Sequence, residues 1–161
     1  MASTQIEASE PYKHILPTTT TEAFKSAHLL RMEDRRELEG AGYHPMLGLP
    51  ISVARTKDPI KFVDHHGELC GFAGVVEESP DVARIWMLCT PSVEKIPITF
   101  VRHAKKWLDA LPYLMLHNVA DPRNTIHMKL LHFLGFKRLM FVPVGPKRLT
   151  YVEFAKLCAS H

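Results

Sequence analysis

The sequence predicts a mixed α/β domain, a central sheet with helices on its faces. Three observations carry this. ARIWMLCT (83–90) is an almost unbroken apolar run, ITFVRHAKKWLDAL (98–111) has apolar residues at helical spacing, and YLMLHNVA (113–120) is a second apolar run. Together they form a βαβ unit, for which a parallel, right-handed crossover is expected. Ahead of it, IKFVDHHGELCGFAGVVE (60–77) reads as a hairpin. After it, residues 139–144 and 148–154 flank Pro143-Val144-Gly145-Pro146 and read as an antiparallel pair that closes the sheet.

The elements follow in order. Residues 1–11 form a polar tail, and the domain is residues 12–161. YKHIL (12–16) gives a short first strand ended by Pro17. Thr19, with Glu22 three residues on, has the form of a capping box, in which each side chain satisfies a free N–H at a helix start. Ala23, Phe24, Ala27 and Leu30 then supply one apolar face. RMEDRRELEGAG (31–42) is highly charged and ends in glycines suited to a helix C-cap, so it predicts a solvated helix or one lining a surface groove. Prolines and glycines break up residues 44–59, leaving one short strand expected at Ile51-Ser52-Val53-Ala54. Turns are expected near His66-Gly67 and at Glu78-Ser79-Pro80-Asp81. The run 83–90 that follows has the character of a strand buried on both faces. Val101, Ala104, Trp107, Leu108 and Leu111 share one side of the next helix. In the last helix, NTIHMKLLHFLGF (124–136), Ile126, Leu130, Phe133 and Leu134 form the expected buried stripe. The order β α α β β β α β α β β contains no internal repeat and no linker, which makes one domain.

Bulk properties exclude several classes of function. A chain of 161 residues can bury on the order of 70% of its unfolded surface. With 46% apolar and 23% charged residues it is not a disordered chain. The formal charge of +3 is dispersed in short groups (Arg35-Arg36, Arg102 to Lys106, Lys137-Arg138, Lys147-Arg148), which reads as solvated faces rather than a nucleic-acid footprint. No run approaches the length of about 20 apolar residues that spans a bilayer, and no apolar core follows a basic start, so neither a membrane span nor a secretion signal is expected. Cys70, Cys89 and Cys158 form no CxxC and read as reduced thiols; Cys89 reads as a small core residue. The ten histidines lack metal-ligand spacing. His65 and His66 are adjacent, and His127 and His132 do not share a helical face. No metal site is expected.

The element order, together with NTIHMKLLHFLGF, resembles the GNAT-type N-acetyltransferases from about Tyr12 to Phe154. The family's late-helix pattern, Asn-x-x-Ala-x-x-Leu-Tyr-x-x-x-Gly-Phe, is met by Asn124, Leu130, Gly135 and Phe136. Glycine there lets the chain leave the helix with positive φ, and phenylalanine returns apolar mass to the core. Within that fold, a first strand running into TTTTEAF, a charged helix ending LEGAGYHP and the lack of extra domains resemble the internal virion protein A family of short-tailed phages. That resemblance implies a role in virion assembly with weak or lost acetyl transfer, protein partners in the particle, and a location in host cytoplasm or virion. The wider family implies the alternative, an active acetyl-CoA-dependent N-acetyltransferase on a protein or small-molecule amine.

Carried over residue by residue, the resemblance implies acetyl-CoA contacts at Leu88, Thr90, Ser92, Lys95 and Asn124. The family holds pyrophosphate in a loop of the form Arg/Gln-x-x-Gly-x-Gly/Ala, whose glycines bring bare N–H groups to the phosphate. The matching loop here, TPSVEKIPI (90–98), has no glycine; Pro91 and Pro97 lack an N–H, and Glu94 places an anion beside Lys95. The family's general acid is a tyrosine seven residues after the asparagine; that position is Leu131. ARIWMLCT offers no carboxylate as a base. His132 and His127 are the candidate substitutes, because imidazole titrates near neutral pH. Each otherwise reads as a helix-surface histidine. Glu33, Asp34 and Glu37 are candidates to line an acceptor groove.

Overall fold

The computed structural model describes residues 14–96 and 98–158. The polar tail, the start of the expected first strand at residues 12–13, and Pro97 lie outside the described residues. Seven strands form one sheet in the order β1-β2-β3-β4-β5-β7-β6: β1 Ile15–Pro17, β2 Ile60–Val63, β3 Leu69–Ser79, β4 Val82–Cys89, β5 Met115–Ala120, β6 Lys137–Val144 and β7 Leu149–Leu157. Every neighbouring pair is antiparallel except β4 and β5, which are parallel, as the βαβ unit requires. The helices are α1 Thr20–Ser26, α2 Met32–Gly40, α3 Gly48–Arg55, α4 Ile98–Asp109 and α5 Thr125–Phe133. The mixed sheet with flanking helices is the predicted architecture.

Local chemistry explains where the elements begin and end, and where they depart from expectation. Pro17 ends β1 as expected, as its last residue and opposite Ile60. Thr19 caps α1 by accepting the Glu22 N–H at 3.2 Å. The other half of the capping box does not form, because the Glu22 carboxylate instead accepts from Thr18 Oγ1 and pairs with Lys61. Ala23, Ala27 and Leu30 are buried, whereas Phe24 points outward and is 56% exposed. Helix α2 ends as expected: the N–H of Gly42, at φ +96°, returns to Glu39 O, and that of Tyr43 to Leu38 O.

The expected strand at residues 51–54 is instead the middle of helix α3. Branched Ile51 and Val53 imitate a strand pattern, but Leu49 and Val53 stand four apart on one buried helical face. Pro50 falls in the first turn, where a missing N–H costs nothing. Ser52 Oγ donates back to Gly48 O, and Thr56 Oγ1 to Ser52 O.

Two main apolar clusters sit on opposite faces of the sheet. Helices α1, α2 and α3 pack Ala23, Leu38, Leu49 and Val53 against Phe72 and Leu88. Helices α4 and α5 pack Leu108, Met128, Leu131 and Leu134 against Ile85, Leu116 and Phe154. Strand β4 takes part in both, though not along its whole length: Arg84 is exposed and Trp86 and Met87 are half-buried.

The feature that positions a site is the way β4 and β5 separate. They pair only at Val82↔Met115, Ala83↔Leu116 and Arg84↔His117. Beyond these, Ile85 to Cys89 and Asn118 to Ala120 diverge. At the point of parting, Asn118 Nδ2 donates to Ile85 O at 2.7 Å, a side-chain bond standing where the ladder stops.

Candidate functional site

A cavity of about 560 Å³ occupies the gap between β4 and β5 and reaches both faces of the sheet. On the α4–α5 side its walls include Ala104, Trp107, Leu130, Leu131 and Phe154; on the α2 side they include Glu37, Leu38, Tyr43, Trp86 and Tyr151. His127 lines it where α5 begins.

A buried polar network stands at that point and joins α2 to α5. Arg31, 3% exposed, donates from Nε to Asp34 Oδ2 and from Nη2 to Asn124 Oδ1, both at 2.8 Å. Asn124 Nδ2 donates to Asp34 Oδ1 at 3.2 Å and Glu37 Oε2 at 3.0 Å, while its Oδ1 also caps α5 by accepting the His127 N–H. Both ends of the Asn124 amide are therefore spent inside the protein. His127 Nδ1 lies 3.4 Å from the same Glu37 Oε2. Tyr151 donates its hydroxyl to Glu37 O at 2.7 Å.

The electrostatics follow from burial and pairing. Burial pulls the His127 imidazole toward its neutral form, but the charge of Glu37, its hydrogen bond and Asp34 outweigh this and hold the imidazole above its ordinary value. Burial raises Asp34, with the Arg31 charge and hydrogen bond only partly opposing it. Tyr151 is pushed up to about 12, first by burial and then by Asp121 and Glu37. Among the described residues, Asp34, Glu37 and His127 form the group whose ligand atoms all lie within 4.8 Å of one another. The Arg31 guanidinium already supplies a cation to that cluster, and Glu37 and Asp34 already accept hydrogen bonds from Asn124.

The sequence-derived candidates are placed as follows. His127 is not the surface residue its helix position suggested: it is 7% exposed and faces the cavity. His132 is exposed and lines a separate outer groove between α5 and β6. Glu37 lines the cavity, Asp34 is buried behind it, and Glu33 does not line the cavity. The charged helix α2 is thus only half solvated. Leu88 is buried and lines the cavity. Thr90 is buried, and its hydroxyl donates to Leu69 O at 2.6 Å. Ser92 and Lys95 lie on a short 3-10 helix, Pro91–Lys95, with Ser92 half-buried and Lys95 exposed. Cys89 is buried, and burial drives its thiol well above the ordinary range, as suits a core residue. Tyr151, Asn118 and Arg31 carry no motif. Arg31 meets Asn124 across 93 positions of chain, a separation over which no local pattern speaks.

Solved structures share this architecture. The aminoglycoside acetyltransferase AAC(6')-Ib, in complex with ribostamycin and coenzyme A, is 16% identical with a TM-score of 0.63, over 89% of this chain and 92% of that one. A GNAT superfamily phosphinothricin acetyltransferase from Sinorhizobium meliloti, in complex with acetyl-CoA, is 10% identical with a TM-score of 0.62, over 89% and 87%. A spermidine N-acetyltransferase chimera of Vibrio cholerae SpeG with hSSAT is 12% identical with a TM-score of 0.61, over 89% and 93%. No protein-family model matches the sequence, and no characterised protein matches it at the sequence level. The chain has the GNAT-type acyl-CoA N-acyltransferase fold.

Proposed function

We propose that this protein moves an acetyl group from acetyl-CoA to an amine, with His127 and Glu37 handling the protons. The observation that carries the reading is the parting of β4 and β5 around a cavity that reaches both faces of the sheet. Past Arg84 the edge of β4 faces the cavity instead of a neighbouring strand, so its backbone suits an extended, amide-bearing arm. Leu88, Ala104 and Leu130 give such an arm apolar contact. The diphosphate end fits less well. Pro91 lacks an N–H, the Thr90 hydroxyl is committed to Leu69 O, and Glu94 stands beside Lys95. Ser92 and Lys95 are the residues left to meet phosphate, so the arm supplies most of the affinity. The neighbours that hold coenzyme A or acetyl-CoA support the same reading.

Acetyl-CoA, when bound, supplies a thioester carbonyl. His127 keeps Nδ1 toward Glu37, which leaves Nε2 to protonate the departing sulfur. Its raised pKa keeps the imidazolium populated for that step. Glu37 takes the proton that the attacking nitrogen sheds. One N–C bond forms, one C–S bond breaks, and both groups reset by exchange with solvent. An acceptor that enters as an ammonium releases one further proton. His127 lies four residues before Leu131, on the same helix face and about 6 Å along the axis, which makes it a neighbouring substitute for the family's tyrosine.

The second reading is an assembly protein with weak or lost acetyl transfer, as the phage resemblance implies. It is favoured by the exposed edge strand β6, where Leu139, Met140 and Phe141 are 59%, 59% and 64% exposed beside Phe133 at 62%. An apolar sheet edge of that kind suits a protein partner. Free-thiol release from acetyl-CoA across an amine panel separates the two. The first reading expects turnover, and a loss in kcat of about 10²- to 10⁴-fold for His127→Gln with the fold retained. No turnover with any amine leaves the second reading.

A further inference from the structure

We infer that the acceptor is a small amine carrying one charge and a flat apolar body, an arylalkylamine, rather than a polycation or a peptide; this rests on the acyl-transfer reading above. The α2 side of the cavity is walled by Trp86, Tyr43, Tyr151, Leu38, Val119 and Val144. Register places Val119 and Tyr151 on one sheet face, since Val119 pairs with Glu153, two residues from Tyr151. Trp86 shares that face through Arg84↔His117. Its ring is held in place: Nε1 donates to Thr56 Oγ1 at 2.7 Å, and the ring lies over Gly74, where an added Cβ would come within 3.2 Å of it. A rigid aromatic wall suits a flat apolar group.

Charge excludes a polycation. Two carboxylates line the cavity, and two guanidiniums, Arg55 and Arg84, balance them. Glu78 is already paired with a guanidinium: its Oε1 takes both Arg84 at 3.3 Å and His117 at 2.7 Å. Glu37 gives Oε2 to Asn124 and His127, and among the described residues no donor reaches its Oε1. Among the described residues Glu37, unlike Glu78, pairs with no guanidinium, so its open Oε1 is the counter-charge for one ammonium. Space limits the acceptor as well. The β6–β7 turn sits directly on the end of α2: a Cβ at Gly145 would lie 1.9 Å from Gly40 O, and one at Gly42 3.3 Å from Pro146. That contact walls the cavity beside Ala41, Tyr43 and Val144, against a chain running past the end of α2.

The test measures amine binding to the full-length protein by ligand-observed NMR without acetyl-CoA, with an acetyl-CoA titration run separately. Phenethylamine should bind saturably, and spermidine at least tenfold more weakly at equal ionic strength. Tyr43→Ala removes a wall residue that is 37% exposed, and should weaken phenethylamine tenfold or more, while Trp86→Phe, which keeps an aromatic wall, should bind within a few-fold of wild type. Equal or tighter binding of spermidine overturns the inference, as does phenethylamine binding that never saturates or is indifferent to Tyr43→Ala. Acetyl-CoA binding together with spermidine preference overturns the inference and spares the acyl-transfer reading. Saturable phenethylamine binding without acetyl-CoA binding supports the amine pocket and removes the acyl-transfer reading.

Discussion

At the scale of single residues, Asn124 and His127 show how one position can serve the fold and the cavity together. Asn124 uses its amide oxygen and nitrogen on Arg31, Asp34, Glu37 and the α5 N-terminus. Asn124→Ala strips partners from a buried ion pair and should cost about 3 kcal/mol, read as a lower urea midpoint with unchanged slope. His127 gives a pH signature. Its folded pKa lies above its ordinary value, which is about 6.5 in an unfolded chain. The stability it contributes is therefore complete below about pH 6.5 and is lost as pH rises through the raised folded value. His127→Gln should flatten the urea midpoint across that window, and a wild-type midpoint that does not fall there would refute the pairing with Glu37. None of this was legible locally. NTIHMKLLHFLGF announces a helix with an asparagine before it, but the partners that bury His127 come from α2, 90 positions earlier.

At the scale of elements, the sequence of α5 predicts a helix and only part of its packing surface. Its end is as predicted: Gly135 has φ +93°, the Phe136 N–H returns to Leu131 O, and Phe136 is buried. The buried face, however, is His127, Met128 and Leu131, with Leu134 following, whereas Phe133 is 62% exposed and Leu130 half-buried. Hydrophobicity alone selects a stripe that leaves out His127, a histidine in a core position. Leu131→Ala should cost about 2–5 kcal/mol, Leu130→Ala less, and Phe133→Ser within about 0.5 kcal/mol, all read from urea midpoints. The two turn glycines divide by mechanism. At Gly135 an added Cβ meets only the flexible end of Lys156, at 3.6 Å, so Gly135→Ala carries backbone strain alone, about 1 kcal/mol. Gly145→Ala drives a Cβ into Gly40 O and should cost about 3 kcal/mol or more.

At the scale of the molecule, the sequence carried the sheet because hairpins and the βαβ crossover are local events, written in apolar runs of 4 to 8 residues and their turns. Helix α3 is not legible in the sequence, because Ile51 and Val53 imitate a strand. The parting of β4 from β5 was invisible, because both strands read as continuous apolar runs and only the pairing stops, after Arg84↔His117. That gap is where the fold becomes a site. The most direct test is an acetyl-CoA titration of the wild-type protein by isothermal calorimetry. Saturable one-to-one binding, retained by His127→Gln, is the predicted result; no heat of binding at millimolar acetyl-CoA would contradict it.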